Sequence, residues 1–470
     1  MSDNFTRAWP SKSDRLRQQN AVAERIGDVL ELLKHEPVAP QADVEAIRAS
    51  LREFDFDHPI GTVLAAEKVV ELMKGGMVHM MHPGYFGLFN PTIVFPGIIA
   101  DIITASLNPQ LAVWSHAAVP VEIERRVIQE VGAPFDQEFK AGHFTSGGAE
   151  ANNTAVLLAL TRANTRFAEE GAKTFKGLPC LYVSAESHLA WHKIAHQSGI
   201  GRAAVRLVDT DGTGRMDVTY LTRAVEEDRS AGNTPVFIAA TAGTTNAGMI
   251  DPLIECANIA EQFGMWFHVD AAWGGAIRFL PEHSAVLNGI QRANSITLDA
   301  HKWLAVPMGA GILLCKDNDL LGETFRVTAS YMPEGLASLN PYTHSMQWSR
   351  RFIGLKLFLS LATIGWEGYR YLLRNALTLS ARLTALLDEN GWSVVNDSPL
   401  AVLCFEDTDR ALDLEKVVAS VVADGRTWIS SVKFEGRRVL RACITSHHTE
   451  EENLTDLISA LEAARVEQMM

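Results

Sequence analysis

The chain has 470 residues, and its 42 Lys+Arg against 56 Asp+Glu give a formal net charge of −14. At roughly 150 residues per domain this length suggests about two or three domains, and a 47% hydrophobic content is ample for a core and excludes a disordered chain. The acidic balance argues against a nucleic-acid partner, whose electrostatic footprint would be basic.

Met1–Arg15 is polar and mixed in charge, without the apolar core that an export signal needs. The longest apolar stretches, such as Leu304–Cys315, fall short of the ~20 residues that cross a bilayer. Five cysteines (Cys180, Cys256, Cys315, Cys404, Cys443) form no CxxC pair, which suits neither a zinc site nor a disulfide framework. The expectation is a cytoplasmic protein without a membrane partner or a metal.

Along the chain, the first 80 residues read as helical, with apolar residues at helical spacing in Ala21–Lys34 and Val44–Phe54, separated by Pro37 and Pro40. This segment is too thin to fold alone and is expected to pack on something else, such as a partner subunit. From about residue 95, short β-rich runs alternate with helices. Strands are predicted at Gly142–Thr145, Cys180–Ser184, Ala203–Val208, Val236–Ala240, Met265–Asp270, Ser295–Leu298 and Gly309–Cys315. Helices are predicted at Ala149–Ala163, Leu221–Asp228 and Leu253–Phe263. Several strands are apolar throughout, as in a sheet covered on both faces. The fold class is therefore α/β, with a mostly parallel central sheet. After a long helix over Arg351–Glu389, strands at Trp392–Asn396, Ala401–Phe405 and Arg438–Thr445 and helices at Leu412–Asp424 and Thr449–Met470 give a small α+β domain. The expected division is 1–94, 95–359 and 360–470.

Three strand-end elements carry the chemistry. In Asp299-Ala300-His301-Lys302-Trp303 a lysine follows a strand and enters apolar surroundings, where desolvation suits an amine for Schiff-base chemistry. By itself it reads equally as a solvated loop lysine. In His268-Val269-Asp270-Ala271-Ala272-Trp273 a carboxylate ends an apolar strand, where α/β sheets bind ligands. It could hold a protonated ring nitrogen or simply cap a helix. In Thr145-Ser146-Gly147-Gly148-Ala149-Glu150-Ala151-Asn152-Asn153 paired glycines open a helix and leave amides free for a phosphate. The three together describe a pyridoxal 5′-phosphate site better than any one does.

With HPGYFG at His82–Gly87, TSGGAEAN at Thr145–Asn152, HVDAAWGG at His268–Gly275, DAHKW at Asp299–Trp303 and SRRFIGLK at Ser349–Lys356, the chain resembles the group II pyridoxal phosphate-dependent amino-acid decarboxylases of fold type I. The family includes aromatic amino-acid and glutamate decarboxylases. The resemblance implies a homodimer with active sites at the interface. It also implies roles at matching positions. Lys302 would anchor the cofactor covalently. Asp270 would pair with the ring nitrogen. His188 would stack on one face of the ring and Ala272 would pack on the other. Gly148 and Ala149 would bind the phosphate, and Thr245 and His301 would face the cofactor and the substrate carboxylate. Tyr331, in an irregular stretch reaching about Ser345, would return the proton after CO2 leaves. His82, Phe89, Asn90, Gln110 and Arg441 are the substrate-side candidates. Among the compared side-chain positions Met81, Phe89, Asn90, Gln110 and Ala112 only Phe89 is aromatic, which favours a small or polar amino acid. Arg441 leaves an acidic substrate open, or is a structural arginine. The rival readings are an aromatic (tryptophan- or DOPA-type) decarboxylase, or an aldehyde synthase or carbon–carbon lyase on the same site. A second reading of His188, His192 and His196, spaced four apart, is three imidazoles on one helical face facing a zinc ion.

Overall fold

The computed structural model describes residues 8–89, 92–327, 340–409 and 412–469. The chain divides into two compact units. The first comprises residues 8–87, Asp409–Ser431 and the stretch from His448 onward; the second comprises Leu88–Thr408 and Val432–His447.

In the first unit the helices Lys12–Leu33, Val44–Arg52 and Thr62–Gly76 start at the signals the sequence offers. Ser11 accepts the amide of Asp14, and Asp43 accepts those of Glu45 and Ala46. These helices bury little: Leu16, Ile26, Val44, Leu51 and Leu64 are all exposed, as is Phe56 between the second and third. Among the described residues no helix is long and apolar enough to cross a membrane.

The second unit is built on a seven-stranded sheet in the order β1-β7-β6-β5-β4-β2-β3. The strands are β1 (Ala141–Thr145), β2 (Pro179–Ser184), β3 (Val205–Val208), β4 (Thr234–Thr241), β5 (Trp266–Asp270), β6 (Ser295–Asp299) and β7 (Gly311–Cys315). β7 is antiparallel to both β1 and β6, and the other neighbours pair in parallel, so six strands share one direction. β2, β5, β6 and β7 are buried along their whole length, which fits their largely apolar sequences and a sheet covered on both faces. The helix Gly148–Ala163 crosses this sheet on a face of small residues: Ala151, Ala155 and Ala159 are buried with Leu158 among them. The register places Thr241 beside Asp270 and Asp270 beside Thr297, which gathers three polar side chains at the carboxyl ends of adjacent strands.

A second sheet, in the order β10-β11-β9-β8, contains β8 (Trp392–Val394), β9 (Val402–Asp407), β10 (Ser430–Phe434) and β11 (Arg437–Cys443). β10 was not predicted. It leads into β11 through Glu435 (φ 47°) and Gly436 (φ 76°), two left-handed residues of the kind that close a tight hairpin. The long helix begins at Leu355, four residues later than predicted, and runs to Glu389 with a break at Gly365, whose φ of 63° leaves the helical region. The predicted strand Ala203–Val208 begins at Val205, because residues 202–204 form a 3-10 turn.

Candidate active site

The carboxyl ends of β1, β4, β5 and β6 surround a cavity of about 470 Å³ within the second unit. This is where an open α/β sheet holds its ligand, and the volume lies in the ordinary range for small-molecule sites. Phe89, Gly148, Ala149, His188, Thr245, Asp270, Ala272 and Lys302, all named from the sequence, line it.

Asp270 ends β5 and is buried. Its Oδ2 accepts the Asn152 side-chain N–H at 2.8 Å and its Oδ1 accepts the Ala272 amide at 3.2 Å. It therefore does not cap a helix. Lys302 lies three residues beyond the end of β6, and its Nζ stands 3.1 Å from Asp299 Oδ2. Asp299 is itself buried, and its Oδ1 has no protein partner. A side chain at Gly148 would bring a Cβ to 3.0 Å from that carboxylate and 3.4 Å from the Ala272 Cβ, so a larger residue would crowd the floor of the cavity where this turn approaches it. The turn is braced by Glu150, whose carboxylate accepts the Ser146 amide at 2.8 Å and its hydroxyl at 2.7 Å.

His188 is exposed and lines the cavity, and its Nδ1 accepts the Ala190 amide at 3.2 Å. The following helix runs Ala190–Gln197. His188 is thus on the loop before it and shares no helical face with His192 and His196, which overturns the three-imidazole geometry. Among the described residues no group of three His, Cys, Asp or Glu side chains is arranged to hold a metal.

One wall is a stack of three rings. Trp273 lies between Phe89 and Trp303, each at a centroid distance of 4.5 Å. The Arg441 guanidinium carbon sits 4.8 Å from the Phe89 ring centroid and Lys302 Nζ 5.8 Å from it. Both distances are within cation–π reach. Arg441, on β11, is almost fully buried.

Other named residues lie elsewhere. His301 is buried and is not among the lining residues; its Nδ1 accepts the Ala310 amide at 3.1 Å, and burial lowers its pKa. Gln110 is exposed and donates to Ser349 Oγ at 2.9 Å. His82 belongs to the first unit, where its Nδ1 accepts the Gly84 amide at 2.9 Å and burial pushes its pKa down to about 4. Asn90 and Tyr331 fall outside the described residues. Two lining residues, Asn152 and Asp299, were not singled out from the sequence. Both sit inside quoted motifs, Asn152 one helical turn past Gly148 and Asp299 three residues before Lys302.

The residues present fit pyridoxal 5′-phosphate. The cavity offers an amine at Lys302, a fixed carboxylate at Asp270, and the first turn of the helix Gly148–Ala163, whose amides lack intrahelical acceptors.

Known proteins agree with this geometry. Residues 63–407 match the family described as "Pyridoxal-dependent decarboxylase conserved domain". Tyrosine decarboxylase 2 of Arabidopsis thaliana is 27% identical over 95% of this chain and 86% of its own length. L-2,4-diaminobutyrate decarboxylase of Rhizobium meliloti is 31% identical over 69% of this chain and 65% of its own length. Among solved structures, apo mouse CSAD superposes with a TM-score of 0.89 at 25% identity, covering 97% of this chain and 99% of that one. The tryptamine- and PLP-bound TDC of Oryza sativa shares the fold, with a TM-score of 0.93 at 22% identity, covering 98% of this chain and 99% of that one. The chain belongs to the pyridoxal-dependent decarboxylase family and is a pyridoxal 5′-phosphate-dependent carboxy-lyase of amino acids.

Proposed function

We propose that this enzyme converts an L-amino acid with a small or polar side chain, including an acidic one, into its amine and CO2. The observation that carries the reading is the Arg441 guanidinium held over Phe89, which puts a buried positive charge beside a ring that lines the cavity. Polar groups from Thr241, Thr245, His188 and Asn152 lie around the same space. The relatives named above include a diaminobutyrate decarboxylase, and GADL1 of Bos taurus, described as an acidic amino acid decarboxylase, is 32% identical over 69% of this chain.

The bound cofactor supplies an electron sink for the pair left on Cα when the carboxylate departs. In this reading Lys302 would anchor the cofactor through its amine. Asp270 holds a proton on the ring nitrogen. The Gly148 and Ala149 amides take the phosphate. His188 and Ala272 flank the ring. Tyr331 would deliver the proton to Cα.

A second reading is an aromatic substrate. It is favoured by the stacked Phe89 and Trp273 in the lining and by the tyrosine decarboxylase relative. A phenylacetaldehyde synthase of Arabidopsis thaliana, 25% identical over 95% of this chain, keeps aldehyde formation as a rival outcome. The test is one panel: the twenty amino acids with DOPA, diaminobutyrate and cysteine sulfinate, followed for CO2, amine, aldehyde and peroxide. Amine and CO2 from small, polar or acidic substrates support the proposal. Turnover confined to aromatic acids, or aldehyde with peroxide in place of amine, contradicts it.

We also infer a cytoplasmic homodimer. Five free cysteines and the exposed apolar residues of the first three helices support it, and light scattering at micromolar concentration tests the assembly.

A further inference from the structure

Behind Asp270 runs a line of buried hydrogen bonds. The Trp266 indole can only donate, and its Nε1 lies 2.8 Å from Ser295 Oγ. Ser295 Oγ is also 2.8 Å from His268 Nδ1, and His268 Nε2 is 3.0 Å from Asn152 Oδ1. Thr297 Oγ1 donates to the same Asn152 oxygen at 2.6 Å. The Asn152 nitrogen is then left to donate to Asp270 Oδ2 at 2.8 Å. β5 and β6 set these spacings, since His268 pairs with Ser295 and Asp270 with Thr297 across the ladder.

The line has two self-consistent settings. In the first, Ser295 donates to His268 Nδ1, His268 donates from Nε2, and the Asn152 amide turns its N–H toward an ionised Asp270. In the second every step reverses: His268 carries its proton on Nδ1, the amide flips, and its oxygen faces Asp270. That setting places two acceptors in contact unless Asp270 is protonated.

We propose that Asn152, His268 and Ser295 are positioning residues that hold Asp270 as an ionised, fixed acceptor, with the His268 proton on Nε2. The proposal rests on the reading that Asp270 receives the cofactor's ring nitrogen. His268 is suited to the part. Burial pushes its pKa down to about 4, so the ring is neutral and carries one proton. Phe237 stacks on it at 5.5 Å and Trp191 meets it edge-on at 6.1 Å. His268 is fully buried, and chains of hydrogen bonds strengthen one another in such surroundings.

The test combines tautomer and rescue. Nitrogen-15 NMR of histidine-labelled wild-type protein, with and without pyridoxal phosphate, should show His268 bare at Nδ1 and protonated at Nε2 at neutral pH. The opposite tautomer overturns the proposal. His268→Gln keeps an N–H near the Nε2 position and should bind pyridoxal phosphate within about threefold of wild type. His268→Phe should bind it about tenfold more weakly, with lower kcat and unchanged KM for the amino acid, as expected for one lost buried hydrogen bond to the Asn152 amide oxygen. Equal behaviour of the two variants overturns the proposal. If His268→Phe does not fold, the wild-type tautomer decides. Failure of the wild-type protein to bind pyridoxal phosphate would instead sink the underlying reading, and the tautomer of the protein without cofactor would still report on the line.

Discussion

The Glu124–Arg350 pair and the Asp299–Lys302 pair are both buried ion pairs of the second unit, yet their surroundings differ. Glu124 Oε1 accepts the amides of Ile353 and Gly354, its Oε2 meets Arg350 Nη2 at 2.5 Å, and Arg350 donates to the Phe144 carbonyl at 3.1 Å. That pair is tied into backbone on both sides. Asp299 keeps one oxygen without a protein partner, and Lys302 is a quarter exposed and lines the cavity. A buried pair enclosed by backbone holds structure together, whereas one open to a cavity can exchange its partner for a ligand.

The largest effect should come from breaking the open pair. Lys302→Ala should reduce amine formation by about a thousandfold or more, since a covalent anchor has no substitute. The visible absorbance of the bound cofactor should disappear with it. The melting temperature should fall less than for Arg350→Ala, because Asp299 faces a cavity that water can enter. Breaking the closed pair by Arg350→Ala strands the Glu124 charge, whose pKa is already raised by burial. Denaturant unfolding should then show a loss of about 3–5 kcal/mol.

Tyr331→Phe removes the proposed proton donor, so amine formation should slow by about a hundredfold and the aldehyde share should rise. An unchanged product ratio would remove Tyr331 from the mechanism. A smaller change sharpens the closed side of the comparison. His143 is buried near Arg350, neither ring nitrogen has a protein partner, and burial lowers its pKa to about 3. The unfolded chain therefore takes up this proton first, and stability falls as pH drops from 6.5 toward 3. His143→Leu should flatten that limb by on the order of 2 kcal/mol in unfolding measured at pH 7 and pH 4. The smallest effect is expected at Arg441: Arg441→Lys should raise KM about tenfold for an acidic substrate and leave small neutral ones nearly unchanged.

The sheet was legible in the sequence because buried parallel strands write themselves as largely apolar runs. Lys302 and Asp270 were legible as cavity residues for a similar reason, since each stands at or just past the end of such a run. Asn152 was not: its partner Asp270 lies 118 positions away, and no local pattern marks a contact made by folding. Spacing misled at His188, where the i, i+4 rule holds only inside a helix and the helix starts at Ala190. β10 was missed because Glu435-Gly436 was not read as a hairpin turn, although its glycine is the expected signal. Gln110 came from a position-by-position comparison and His301 from its place in DAHKW, and neither lines the cavity.

The central claim is that the amine at the end of β6 holds the cofactor. Protein saturated with pyridoxal phosphate, reduced with borohydride, digested and mapped by mass spectrometry tests it directly. The account predicts one pyridoxyl-phosphate adduct per chain, on Lys302. An adduct on another lysine, or none in a protein that retains decarboxylase activity, would contradict it.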